Sequence, residues 1–129
     1  MLKPVNPPGM AWPGVSQAVV ASGTGILVTS GQMPTGEDGE VVSDDFEAQT
    51  IAVYENIDRT LRAAGLGFEH IIRVTTYVTH YEPALMEIIR RVRSRYLSQT
   101  TPPASVILGV AALYDPRMRI EVEVVAVVP

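Results

Sequence analysis

The apolar and polar residues of this chain follow two patterns, and the first is typical of β-strands. Residues 16–22 and 25–33 are short runs rich in β-branched residues, separated by a Gly-Thr-Gly segment. Glycines at that place favour a turn with positive φ, so the two runs are predicted to form a hairpin. Runs of similar composition at 70–80, 104–113 and 119–128 predict three further strands.

The second pattern repeats an apolar residue every three or four positions and predicts two helices. The first lies within residues 43–65, where Asp44 and Glu47 resemble a capping pair and Gly65 is a natural end. The second begins at Glu82–Pro83, because proline is tolerated in a first helical turn. The predicted buried positions are Ile51, Tyr54, Ile57, Leu61 and Ala64 in the first helix and Leu85, Ile89, Val92 and Tyr96 in the second.

The resulting order, ββαβαββ, predicts an α+β fold in which two helices pack on one face of a sheet. The run 104–113 is apolar on both of its faces, whereas a strand with a solvated face alternates apolar and polar residues. We therefore expect the second face to be covered by another copy of the chain. The alternative is that the N-terminal arm covers it.

Composition narrows the class of protein. The 129 residues suggest one domain, 1–129, whose proline-rich residues 1–14 are predicted to be an irregular arm. A net charge of −4 gives no general attraction to nucleic acid or to an anionic membrane, and the absence of cysteine excludes thiolate chemistry. No secretory signal and no apolar run of membrane-spanning length is visible, so a soluble cytoplasmic protein is expected.

Two places in the sequence could carry chemistry. Glu121 and Glu123 lie two residues apart on a predicted strand and therefore point to the same face, about 7 Å apart. A carboxylate beside an apolar face can act as a general acid or base, although a solvated pair on an edge strand is the alternative. Ser30 and Gly31 end a strand, where glycine allows a ligand to approach the backbone; simple turn chemistry is the alternative.

The only basic cluster is "RRVRSRY", with Arg90, Arg91, Arg93 and Arg95. It is interpreted as a solvated helix face. Because it is short and the protein is acidic, nucleic acid is not an expected partner.

Several segments together resemble the RidA family, also known as YjgF or endoribonuclease L-PSP. They are "SQAV" at 16–19, "SGQMP" at 30–34, "RVTTYVT" at 73–79, "PPASV" at 102–106 and "IEVEVVAV" at 120–127. The resemblance implies a chorismate-mutase-like fold and a homotrimer whose three sheets form an inner barrel. It implies ligand pockets at the subunit interfaces and hydrolysis of reactive enamines or imines without a cofactor or metal.

The resemblance also assigns roles to residues of this sequence. Gly31 matches the glycine whose backbone binds substrate, and Glu121 matches the glutamate that positions or activates water. Deaminating members carry an arginine directly after "PPA" that pairs with the substrate carboxylate, and here that position is Ser105. Three other family binding positions are occupied by Val15, Ile88 and Ile107.

These departures predict a pocket that is more apolar and lacks its fixed cation. We therefore expect no action on small α-imino acids of the kind that arginine-bearing members hydrolyse. The expected activity is hydrolysis or deamination of a less charged enamine, imine or related metabolite, with Glu121 handling water. The alternatives are a trimer that binds a small ligand without turnover and, less favoured, an endoribonuclease.

Overall fold

The computed structural model describes all residues, 1–129, and has the predicted α+β composition. The two long helices are α1 (Phe46–Ala63) and α2 (Pro83–Arg93), and a short 3-10 helix spans Phe68–His70. The strands are β1 (Leu2–Val5), β2 (Ala18–Ala21), β3 (Gly25–Val28), β4 (Ile71–Thr79), β5 (Ala104–Val110) and β6 (Ile120–Val128).

The main sheet has the strand order β3-β6-β4-β5. The last strand, β6, is antiparallel to both of its neighbours, whereas β4 and β5 are parallel because α2 connects them by a crossover. β6 therefore lies in the interior of the sheet, and the expectation that Glu121 and Glu123 could sit on an edge strand is wrong.

The predicted hairpin between residues 16–22 and 25–33 does not form. β2 pairs with β1 in a separate two-stranded sheet, and β3 pairs with β6. The glycine at 23 serves close packing instead of a tight hairpin, because a Cβ there would collide with the Val128 carbonyl. Thr24 then donates its backbone N–H to that same carbonyl at 2.8 Å.

The N-terminal arm is also more regular than predicted. Residues 1–14 were expected to be irregular, but Leu2–Val5 forms β1. Pro4 is tolerated because β1 is an edge strand of a two-stranded sheet, where a missing N–H costs little. The Asn6 side chain accepts from the Gln17 backbone N–H at 2.8 Å and ties the end of β1 to the start of β2.

The helices bury the predicted stripes with small differences. Tyr54, Ile57 and Leu61 of α1 are buried, as are Leu85, Ile89 and Val92 of α2, whereas Ile51 and Tyr96 are half-buried and Ala64 is exposed. Asp45 and not Asp44 caps α1, since its carboxylate accepts from the Ala48 N–H at 2.9 Å. The helix begins at the buried Phe46, one residue later than a cap at Asp44 would place it.

A fully buried glutamine joins α1 to the entry of β6. The Gln49 amide donates to the carbonyls of Ser43 and Arg117, both at 2.8 Å, and accepts from the Arg119 N–H at 2.8 Å. All three bonds go to backbone groups, so this one side chain fixes the position of the strand that carries Glu121.

We predict that Gln49→Leu lowers the free energy of unfolding by about 3 kcal/mol, because it leaves several backbone groups without partners in a buried site. Gln17→Leu is the matched control, since the Gln17 side chain is exposed. Urea unfolding followed by circular dichroism measures both. Equal stability of the two variants would show that Gln49 does not hold the strand.

Candidate functional site

Glu121 lies on the face of the sheet that the helices leave open, directly against Gly31. A Cβ added to Gly31 would be 2.6 Å from the carboxylate carbon of Glu121, so a side chain at this position would push the carboxylate away from the loop. The Glu121 side chain is half-buried; burial, and secondarily the charge of Glu123, raise its pKa. Its carboxylate is therefore better able to exchange a proton near neutral pH than an exposed glutamate is.

The loop that carries Gly31 is held to β6 by the residue that follows it. Gln32 exchanges two backbone hydrogen bonds with Val122, at 2.7 and 3.1 Å. The N–H of Gly31 makes no hydrogen bond to the chain and remains available as a donor to a ligand. Ser30 and Gly31 line a polar cavity of about 590 Å³, which we call the Gly31 cavity.

Asn56 of α1 supports this loop, and sequence reasoning missed it. Its amide donates to the carbonyls of Met33 and Thr35, at 2.8 and 2.9 Å. Thr60, one turn further, donates to the Gln32 side chain at 3.2 Å. The signal available in the sequence was an asparagine directly before Ile57 of the apolar stripe. The structure shows that Asn56 is buried, as polar residues are where they satisfy backbone groups.

Glu123 has a different environment from Glu121, although both project from the open face. The hydroxyl of Tyr77, on the neighbouring strand β4, donates to its carboxylate. That hydrogen bond raises the pKa of Tyr77. Glu123 therefore has a fixed partner within the protomer, while the Glu121 carboxylate has no hydrogen-bond donor from the chain and is free to meet a ligand.

Three of the predicted binding residues surround a second cavity, of about 510 Å³, which we call the Ser105 cavity. Ser105 and Ile107 project from β5 on the same face as the buried Val74 and Thr76 of β4, because these pairs are in register. Val15 closes the cavity from the N-terminal segment.

The N-terminal segment is anchored beside β5 by Ser16. Its N–H donates to the carbonyl of Pro103 at 3.1 Å, and its hydroxyl donates to the carbonyl of Pro102. Both prolines are buried and lead the chain into β5 in an extended conformation. The same two prolines therefore place Ser105 on the strand and Val15 opposite it.

The third wall of the Ser105 cavity is a stripe of α2 formed by Met86, Arg90 and Arg93. Spacings of four and three residues place these side chains on one helix face. The predicted solvated face is wrong at one residue, since Arg93 is only 7% exposed, whereas Arg90, Arg91 and Arg95 are exposed as expected. Within one protomer, Arg90 and Arg93 bring two cations to the cavity beside Ser105.

The structure does not bring all the predicted site residues together within one protomer. No residue lines both the Gly31 cavity and the Ser105 cavity, and Glu121 lines neither. Ile88 packs against the hydrophobic core and also lines neither cavity. No cluster of three or more His, Asp or Glu residues is arranged to hold a metal ion. None of the helices combines the length and the apolar character needed to cross a membrane.

Comparison with known proteins agrees with the fold. Residues 11–128 match the family described as endoribonuclease L-PSP. A RutC family protein of Aquifex aeolicus is 32% identical over 112 residues, which cover 87% of this chain and 86% of that protein. The RutC family protein YjgH of Escherichia coli is 33% identical over 112 residues, covering 87% and 82% of the two chains.

A solved structure extends the similarity to nearly every residue. The crystal structure of YyfB from Yersinia pestis, described as a protein of unknown function in the conserved Rid family, superposes with a TM-score of 0.90. The two chains are 32% identical, and the alignment covers 98% of each. Since the family match and these relatives span most of the chain, it belongs to the endoribonuclease L-PSP family, the family of the Rid, YjgF and RutC proteins.

Proposed function

We propose that this protein hydrolyses or deaminates a small enamine, imine or related metabolite, with Glu121 handling water. The observation that carries the proposal is the half-buried Glu121 carboxylate, held against Gly31 and without a hydrogen-bond donor from its own chain. A carboxylate with a raised pKa can take a proton from water and return it within one reaction.

The chemistry requires little more than these two groups. The enamine first takes a proton from solvent on carbon and becomes the iminium ion. Water then adds to the iminium carbon while the Glu121 carboxylate accepts a proton from it, giving a neutral carbinolamine. Glu121 returns that proton to the amine nitrogen and then accepts the hydroxyl proton as the carbon–nitrogen bond breaks, so that a carbonyl compound and ammonia leave and the last proton returns to solvent. The free N–H of Gly31 can stabilise negative charge that develops on the ligand.

We propose a homotrimer with the ligand pocket between subunits. Ile26 and Val28 of β3 are each 69% exposed, on the same face of the sheet as Glu121, and Leu108 of β5 is 43% exposed there. The N-terminal arm pairs within its own two-stranded sheet and leaves these side chains uncovered. A neighbouring copy would cover them and could bring its Ser105 cavity to Glu121 of the first protomer.

A ligand-binding trimer without turnover is the second candidate. It is favoured by the separation of the Ser105 cavity from Glu121 within one protomer. Cleavage of RNA is supported only by the family description, and the net charge of −4 gives no attraction to a polyanion.

We predict that Glu121→Gln lowers the rate of carbonyl release from imines generated in situ by about 100-fold or more, because glutamine cannot accept the water proton. Glu87→Gln is the control, since Glu87 is an exposed glutamate of α2 outside both cavities. Coupled assays of the keto product and of ammonia give the rates. Absence of turnover by the wild type on every imine tried would favour the binding protein, and full activity of Glu121→Gln would refute the role of this residue.

The pKa of Glu121 gives a prediction that does not depend on turnover. Glu123→Gln removes a neighbouring negative charge and should lower the pKa of Glu121, although not to that of an exposed glutamate, because burial is the larger cause of its rise. Titration of the side-chain carboxyl carbon of Glu121 by NMR measures both proteins. An unchanged or higher pKa in the variant would contradict the electrostatic coupling of the pair.

We predict that the wild type has three times the mass of one chain in sedimentation equilibrium and that Val28→Asp shifts it to the mass of a single chain. The aspartate would place an unpaired charge in the apolar contact. Val42→Asp is the control, since Val42 is an exposed valine outside the sheet. A wild type that sediments as a monomer would refute the trimer.

A further inference from the structure

Two carboxylates project from the open face of β6, and the strand alone does not distinguish them. Glu121 and Glu123 are both half-buried, and their positions on the strand are about 7 Å apart. The proposed hydrolysis uses Glu121 alone. Two equivalent carboxylates at this distance would share the uptake of a proton, so the two residues must differ in their partners for one of them to have a distinct role.

Tyr77 is the side chain that makes the two carboxylates different. It lies on β4 directly opposite Glu121, in the antiparallel pair that β4 forms with β6. Its hydroxyl nevertheless donates to the carboxylate of Glu123, the diagonal neighbour, and not to that of Glu121. A hydrogen bond that a carboxylate accepts favours the ionised form of that carboxylate. The bond therefore keeps a negative charge in a fixed place beside Glu121.

The strands around this cluster bring few other charges to it. β3 and β5 contain no titratable residue, and neither does the loop 29–32 that carries Gly31. The only other charged residue of β4 is Arg73, which belongs to no ion pair. The hydrogen bond to Glu123 is the main cause that raises the pKa of Tyr77, and the charge of Arg73 is the smallest influence on it. The two glutamates and Tyr77 therefore act mainly on one another.

Glu121 is sensitive to the charge that Tyr77 holds in place. Burial is the first cause that raises the pKa of Glu121, and the charge of Glu123 is the second. The second cause requires that Glu123 stays ionised and stays near. Its hydrogen bond with Tyr77 favours both conditions, because an unbound glutamate side chain on an open face can turn toward solvent.

We propose that Tyr77 is a positioning residue for Glu121 and acts on it through Glu123. Its hydroxyl keeps the Glu123 carboxylate ionised and fixed on the neighbouring outward position of β6, so that Glu121 is the member of the pair that takes up a proton. Tyr77 itself needs no contact with a reacting atom. The effect on rate rests on the proposed function, whereas the coupling of the three side chains requires no turnover.

A cycle of variants tests the proposal through the pKa of Glu121, measured without substrate by NMR titration of its side-chain carboxyl carbon. Tyr77→Phe removes only the hydroxyl and should lower the pKa of Glu121, by less than Glu123→Gln lowers it. In the Glu123→Gln background Tyr77→Phe should leave the pKa of Glu121 unchanged, because the charge through which Tyr77 acts is gone. Tyr114→Phe is the control and should match the wild type, since Tyr114 is 88% exposed and outside the sheet.

The pH dependence of turnover gives a second readout on any imine that the wild type hydrolyses. Glu121 acts first as a base, so the rate rises with pH as its carboxylate ionises. A lower pKa of Glu121 moves this rise to lower pH. Tyr77→Phe should therefore shift the acid limb of the profile to lower pH without the loss of rate that Glu121→Gln causes, which a general loosening of the sheet would not do.

An unchanged or higher pKa of Glu121 in Tyr77→Phe would overturn the proposal. An equal fall of that pKa with and without the Glu123 carboxylate would also overturn it, because Tyr77 would then act on Glu121 by another route. Full hydrolytic activity of Glu121→Gln would refute the proposed function alone. The titration cycle, which involves no substrate, would still decide whether Tyr77 and Glu123 control the proton of Glu121.

Discussion

The alternation of side chains along β6 is the constraint on which the rest of the molecule depends. Ile120, Val122 and Val124 are buried beneath the two helices, and the residues between them face the open side of the sheet. Because side chains alternate strictly along a strand, a residue next to a buried valine of this interior strand projects from the opposite face of the sheet. A slip of one residue would bury Glu121 under the helices, so the core and the candidate site are fixed by the same register.

The sequence predicted those parts of the fold in which a local pattern and the tertiary contacts agree. The stripe of α1 and the β-branched strands are of this kind. The predicted hairpin at Gly23 is wrong because the sequence does not distinguish a glycine that is required for close packing against Val128 from a glycine that is required for a turn. Strand pairing is a property of distant segments, and nothing in residues 16–33 indicates that β3 pairs with residues a hundred positions away.

Part of the candidate site was also predicted from the sequence, and part of it was missed. Glu121 and Gly31 were identified by their positions on or at the end of a predicted strand as well as by the family resemblance, and the structure places them in contact. Arg93 was missed because four arginines within six positions indicate a solvated helix face, as the exposed Arg90, Arg91 and Arg95 show. Only its spacing from Met86 and Ile89 indicates that Arg93 turns inward, and a charged residue at such a position is rarely buried unless it is paired.

The Ser105 cavity depends on the packing of α2 as well as on β5. Ser105 is small and leaves an open volume at the start of β5, and Arg93 reaches that volume from α2. Because α2 packs on the core through Leu85, Ile89 and Val92, the guanidinium is held in place, and it has less side-chain freedom to lose on meeting a ligand than a surface arginine has.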